Sequence, residues 1–305
     1  MATTTILRRA LLYVPSSSPK MLNKAQGIKV DCLTYDLEDS VTPTEKPNAR
    51  KYLGEVLKGP KPPGVKELAV RINADTKDED IAAIAHAKHN IDALVIPKVN
   101  SSSDLQHVTQ LLTHHQFPPQ TRLIALIESA LGVLSLDKIC TTTPLLTGLI
   151  FAAEDFALDL SLTRTPSLTE FLFARQSIVT AACAYNLAGG AMDLVCTDYR
   201  DTAALERECE NGVQMGFRGK QCIHPSQVEV VERMFLPSSE RVRWAVRILT
   251  ADRRARELGK GSWGLGGKMV DRPVVEAARA VVGKMELAGV DLERVWEEEK
   301  GTVPE

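Results

Sequence analysis

The 305-residue sequence has no CxxC pair among its six cysteines and no apolar run approaching the roughly 20 residues that a bilayer span requires. It also has no surplus of either charge, with 37 basic against 39 acidic side chains and a net charge of −2. These absences exclude a disulfide scaffold, a membrane-spanning protein and a basic nucleic-acid binder. With 44% apolar and 25% charged residues the chain is neither disordered nor collagenous. Cys32, Cys140, Cys183, Cys196, Cys209 and Cys222 read as buried thiols of a reducing compartment, and cytosol is the default expectation. Met1 to Arg9 is threonine-rich, carries Arg8 and Arg9 and has no acid, but a strand pattern beginning at Ala10 leaves it too short for a transit peptide. Thr302-Val303-Pro304-Glu305 carries no recognised address.

Several catalytic signatures are missing as well. There is no Walker A loop, no HExxH and no GxSxG, and His114-His115 sit beside Pro118-Pro119 without cysteine partners, which removes zinc and serine-hydrolase chemistry. Gly259-x-Gly261-x-x-Gly264 has the letters of a dinucleotide fingerprint. It follows an arginine-rich helical segment (Arg253, Arg254, Arg256) instead of a strand, so it reads as a flexible connector.

What the chain does have is eight short β-rich apolar runs, at Ala10–Val14, Cys32–Leu37, Leu68–Ile72, Ala93–Ile96, Leu123–Ile127, Gly148–Ala152, Met192–Cys196 and Gly219–Ile223. Helix-length segments separate them, such as the one opened by Ser103-Asp104 before the periodic Leu105, Val108, Leu111 and Leu112. Eight such units predict a parallel (β/α)₈ TIM barrel over residues 1–224. Residues 225–305 add no strand in this reading and form a C-terminal helical extension. Its last helix presents Val274, Val275, Ala278, Val281, Val282 and Met285 on one broad face, which predicts an arm packed on a neighbouring subunit, or else a cap on its own barrel.

The runs hand over to polar residues: Glu38-Asp39, Arg71 and Asn73, Lys98, Glu128-Ser129, Glu154-Asp155, Asp198 and His224. In a barrel these strand ends converge on one rim, where active sites form. Glu128 and Asp155 follow the fifth and sixth runs, so both carboxylates should face one mouth about 5 Å apart. Two hard oxygen donors with no soft ligand suit Mg²⁺. The structural alternative is an acid pair neutralised by Arg71 and Lys98.

Leu12-Tyr13-Val14-Pro15, Leu37-Glu38-Asp39-Ser40, Val70-Arg71-Ile72-Asn73, Ile96-Pro97-Lys98, Leu126-Ile127-Glu128-Ser129, Ala153-Glu154-Asp155-Phe156, Phe173-Ala174-Arg175 and Gly219-Lys220-Gln221-Cys222-Ile223-His224-Pro225 together resemble the citrate lyase β-subunit-like enzymes of the HpcH/HpaI aldolase superfamily, over about Arg9 to Val282. Asp198-Tyr199-Arg200-Asp201 and Gly267-Lys268-Met269-Val270-Asp271-Arg272-Pro273 carry the likeness toward the citramalyl-CoA-cleaving members. The resemblance implies a homotrimeric barrel enzyme and a Mg²⁺-dependent acyl-CoA lyase reaction on small molecules, citramalyl-CoA giving pyruvate and acetyl-CoA. Malyl-CoA cleavage or hydrolysis, a malate-synthase-like activity and a subunit role in a larger citrate lyase complex are the alternatives. It further implies that Glu128 and Asp155 hold the metal, that Glu38 and Asp39 support the site, and that Arg71 grips the carboxylate of the keto acid. Tyr13, Lys20 and Lys24 match positions that contact substrate or CoA, and Asp271 matches the catalytic acid delivered into a neighbour's site. Two positions depart from the family's usual glycines, Ser16 and Ala152, which leaves substrate choice open.

Overall fold

The structure is a computed structural model that describes residues 5–305. The chain divides after Phe235 into two compact units.

In the first unit eight parallel strands close into a barrel in sequence order. They are β1 (Ala10–Pro15), β2 (Val30–Asp36), β3 (Val65–Arg71), β4 (Ala93–Ile96), β5 (Arg122–Ile127), β6 (Leu146–Phe151), β7 (Gly190–Asp193) and β8 (Gly219–Cys222). The (β/α)₈ expectation is met because each strand is buried on both faces and therefore reads as a nearly continuous apolar run. Leu11, Cys32, Ala69, Ala93, Val95, Ile124, Leu126, Ile150 and Met192 form one buried cluster, while their strand neighbours Leu12, Leu33, Leu68, Val70, Leu94, Leu123 and Leu149 belong to a larger one with the helices. That alternation divides barrel interior from helix layer.

The closing seam pairs β1 with β8, Leu11 opposite Gln221. Gly219 is required there, since a Cβ would stand 1.9 Å from the carbonyl oxygen of Arg8. Arg8 and Arg9, which precede the first strand in a segment too short for a transit peptide, are buried. Arg8 pairs with Glu67 and donates from Nη2 to Thr147 Oγ1 at 2.8 Å, and Arg9 pairs with Asp31 at 2.7 Å. Met1 to Thr4 lie outside the described residues.

β7 ends at Asp193, short of the expected Cys196. Asp193 is polar yet fully buried, paired with Arg175 at 2.7 Å, and an apolar-run criterion slides past such a residue. The helix Ser102–His114 starts where expected, with Ser101 and Asp104 forming a capping box. The expected boundary at residue 224 falls early: Val228, Val231 and Phe235 are buried with the barrel's own core. Five of the six cysteines are buried, but Cys183 is exposed. Among the described residues no helix is long and apolar enough to cross a membrane.

The second unit corrects one expectation. It contains strands after all, β9 (Trp263–Leu265) and β10 (Lys268–Val270), joined by Gly266 and Gly267 at φ 59° and 70°. A two-residue loop with both φ positive matches the twist of a hairpin, and glycine meets that demand at least cost. The apolar face of the helix Arg272–Leu287 packs within this unit. Val275, Ala278, Val282 and Met285 bury against Val242, Ala245, Val246 and their neighbours on the helix Ser239–Glu257.

Candidate active site

β2 and β3 run in register so that Asp36 lies opposite Arg71, each the last residue of its strand. Arg71 donates from Nε to Asp36 Oδ1 at 2.7 Å and from Nη2 to Asp36 Oδ2 at 2.6 Å. Its Nη1 stands 3.1 Å from Glu38 and 3.4 Å from Asp39. The guanidinium carbon lies 4.4 Å from the centroid of the Tyr13 ring, and the Tyr13 hydroxyl donates to Gln221 Oε1 at 3.0 Å. Burial alone would raise the pKa of Asp36, but the hydrogen bonds and charge of Arg71 outweigh it and hold the carboxyl below its ordinary range.

The segment after β2 is shaped by the same carboxylate. Asp36 accepts from the main-chain N–H of Glu38 at 2.9 Å and of Ser40 at 3.1 Å. Asn73 holds it from below, donating to Leu37 O at 2.9 Å and to the buried Asp80 at 2.7 Å, while Lys46 reaches Asn73 Oδ1. Glu38 is left buried among acids, and desolvation followed by its contact with Asp39 pushes its pKa up in spite of Arg71.

Across the mouth, Glu128 directly follows β5, and Asp155 lies in the first turn of the helix Ala153–Leu160 that follows β6. β5 and β6 are paired, Ile127 opposite Phe151, so both carboxylates reach one opening. Asp155 is therefore a helix residue and not a strand end. The main-chain N–H of Lys98 donates to Glu128 Oε1, and Lys98 takes a left-handed φ of 54° to do so. Burial, then the charge of Asp155, raises the pKa of Glu128 to about 7. Burial also raises that of Asp155.

These groups border one cavity of about 360 Å³, lined among others by Tyr13, Asp36, Asp39, Arg71, Glu128 and Asp155. Among the described residues no three His, Cys, Asp or Glu side chains gather as a metal cluster. Mg²⁺ does not need one, because it binds through one or two carboxylates and completes its octahedron with water and substrate oxygens. Two carboxylates whose pKa values are raised by burial and by acidic neighbours fit such an ion, whose charge would offset theirs.

The other expected residues fall elsewhere. Lys20 and Lys24 are exposed on the short helix Pro19–Ala25, and neither lines the cavity. Asp271 is the exposed N-cap of Arg272–Leu287, accepting from Val274 N at 3.3 Å. Ala152 lines the cavity wall, whereas Ser16 is fully buried with its Oγ lacking a hydrogen-bond partner among the described residues. Asp36 and Gln221 are site residues that the sequence reading did not select. The acidic spacing Asp36-x-Glu38-Asp39 is the available signal for Asp36, and nothing in the run around Gln221 marks its role.

Fold and mouth together define an α/β-barrel enzyme with a carboxylate and arginine site at the C-terminal ends of its strands. The chain belongs to the HpcH/HpaI aldolase/citrate lyase family, whose model matches residues 9–225, and a C-C bond lyase model of the TIM-barrel fold matches residues 167–290. It is 34% identical over 296 residues to the mitochondrial citramalyl-CoA lyase of Homo sapiens, covering 91% of this chain and 85% of that one. It is 35% identical over 281 residues to a (3S)-malyl-CoA thioesterase of Cereibacter sphaeroides, covering 91% and 94%. A crystal structure of CitE from Mycobacterium tuberculosis in complex with magnesium, acetoacetate and coenzyme A superposes with a TM-score of 0.73 at 29% identity, covering 92% of this chain and 98% of that one.

Proposed function

We infer that the protein is a Mg²⁺-dependent carbon–carbon lyase acting on a 3-hydroxyacyl-CoA, cleaving citramalyl-CoA to pyruvate and acetyl-CoA. The observation that carries this reading is the 360 Å³ mouth lined at once by Arg71 and by the Glu128 and Asp155 carboxylates. The similarity to citramalyl-CoA lyase over 91% of the chain supports the choice of thioester.

In this reaction the bond between the α-methylene and the hydroxyl-bearing carbon breaks. The hydroxyl proton passes to solvent as its oxygen becomes the keto oxygen of pyruvate, and the bonding pair passes to the thioester enolate, which then takes one proton on carbon, so that no net proton is gained or lost. Glu128 and Asp155 would hold Mg²⁺, which when bound supplies a Lewis acid for the carboxylate and hydroxyl oxygens. Arg71 binds the carboxylate of the keto-acid half through charge-assisted hydrogen bonds. Tyr13 and Gln221 wall that half of the cavity, and Glu38 and Asp39 keep the rim acidic around the Nη1 edge of Arg71, which they hold at 3.1 and 3.4 Å. Lys20 and Lys24, four apart on one exposed helix face, are read as phosphate contacts for CoA. Asp271, from the extension of a neighbouring protomer in a homotrimer, is read as the acid that protonates the enolate carbon. Six free thiols favour a reducing compartment, the cytoplasm by default.

Incubating the purified chain with citramalyl-CoA, malyl-CoA and citryl-CoA, each with Mg²⁺, tests the assignment. Pyruvate and acetyl-CoA released from citramalyl-CoA at the highest kcat/KM support it. Free CoA and intact malate from malyl-CoA, with no cleavage of citramalyl-CoA, would make the protein a thioesterase instead.

A further inference from the structure

Five N–H bonds radiate from an arginine guanidinium, and which of them face a ligand depends on what holds the others. In Arg71 the Nε–H and one Nη2–H are both committed to Asp36, whose side chain is fully buried. The two partners terminate paired strands in register, so the contact is set by the barrel itself and not by a loop. One face of the guanidinium rests on the Tyr13 ring at 4.4 Å, and that ring is pinned by its hydroxyl to Gln221, which donates to the carbonyls of Phe151 and Asp193 at 2.9 and 3.1 Å. On the remaining edge Nη1 pairs with Glu38 at 3.1 Å and donates to Asp39 Oδ2 at 3.4 Å, and Asp39 lines the cavity.

We propose that Asp36 is a positioning residue for substrate recognition: by taking the Nε side of Arg71 it presents the opposite edge of the guanidinium to the carboxylate of a small 2-oxo acid. This rests on the lyase reading above and extends it to a residue that need not touch substrate. Tyr13 then serves as a platform under the arginine, its hydroxyl already engaged, and Asp36 does the orienting. A pair held at both ends also escapes the entropy cost of ordering a free arginine when ligand binds.

The test separates this geometry from the activity. In protein labelled with ¹⁵N-arginine, the Arg71 Nε–H resonance, assigned by its loss in Arg71→Lys, should exchange with solvent at least tenfold more slowly than free arginine. In Asp36→Asn that protection should vanish, because an amide oxygen cannot accept both N–H groups while its NH₂ opposes the second. Calorimetry with Mg²⁺ should then show pyruvate affinity at least tenfold weaker in Asp36→Asn, with CoA affinity unchanged, and Asp36→Asn should add nothing further in an Arg71→Ala background. An Arg71 Nε–H that exchanges freely in the wild type overturns the proposal, even if Asp36→Asn does not fold. Unaltered pyruvate affinity in a folded Asp36→Asn overturns it equally. Wild-type protein that keeps the protected N–H but binds no pyruvate counts against the lyase reading, so the two failures are distinguishable.

Discussion

The main-chain N–H of Lys98 donates to the carboxylate of Glu128, and Lys98 adopts a left-handed φ of 54° in making that bond. A non-glycine residue in this region carries about 1 kcal/mol or more of strain, retained here beside an acid that the proposed metal needs. Lys98→Gly keeps the N–H and relieves the strain, so thermal unfolding should move upward or stay level while Mg²⁺ affinity is held within a few-fold. Lys98→Val disfavours the left-handed turn, and calorimetry should show Mg²⁺ binding weakened by about tenfold, near 1.4 kcal/mol. Equal Mg²⁺ affinity in both variants would show that the turn does not serve Glu128.

Glu128 couples metal binding to pH. Its folded pKa is about 7 against an ordinary 4.5, so the metal-free fold prefers the protonated acid. The stability this gives is complete below pH 4.5 and is lost as pH rises through 7. Glu128→Gln should therefore raise the urea midpoint of metal-free protein at pH 8 and change it little at pH 4.5. Mg²⁺ must displace the proton, so its affinity should fall as pH drops from 8 to 6, with proton release measurable by calorimetry in buffers of different ionisation heat. Affinity independent of pH over that range would contradict the coupling.

Arg71→Lys keeps the charge but not the planar fork. An ammonium cannot hold Asp36 through two bonds and still present two donors to a substrate carboxylate. A loss of about 100-fold or more in kcat/KM is expected, with CoA affinity intact. Unchanged kinetics would make Arg71 a structural partner of the acid cluster.

The proposed sharing of Asp271 between protomers has a direct genetic test. Asp271→Ala and Glu128→Ala chains, each inactive alone, are mixed and allowed to exchange subunits. Activity should return, since some sites then draw the metal acid from one chain and Asp271 from the other. No recovery despite demonstrated exchange would remove Asp271 from a shared site.

The barrel was legible because parallel strands are buried on both faces and leave continuous apolar runs, and because strand ends converge in space. Arg71 ends its strand, Glu128 follows one directly and Asp155 sits in the first helical turn beyond another, and the three line one cavity. Asp36 was not legible because it is a buried acid closing an apolar run, and its partner 35 residues away leaves no local signal. Asp193, paired with Arg175, misled the boundary of β7 for the same reason. The hairpin of β9 and β10 has three residues per strand, too short for any alternation to show. The broad apolar face of Arg272–Leu287 was visible, but which surface covers it was not, and its cover is the helix Ser239–Glu257 of its own unit. The burial of Arg8 and Arg9 was not legible because their acids, Glu67 and Asp31, lie far along the chain on β3 and β2.

The central claim is that Glu128 and Asp155 hold the Mg²⁺ on which carbon–carbon cleavage depends. The measurement is pyruvate release from citramalyl-CoA by the purified chain, stripped with EDTA and then titrated with Mg²⁺, in the wild type and in Glu128→Ala of matching circular dichroism. Wild-type activity should be absent after stripping and return with Mg²⁺, while Glu128→Ala should stay inactive at concentrations that saturate the wild type. Glu128→Ala releasing pyruvate at a near wild-type rate, or a stripped wild type that remains active, would contradict the account.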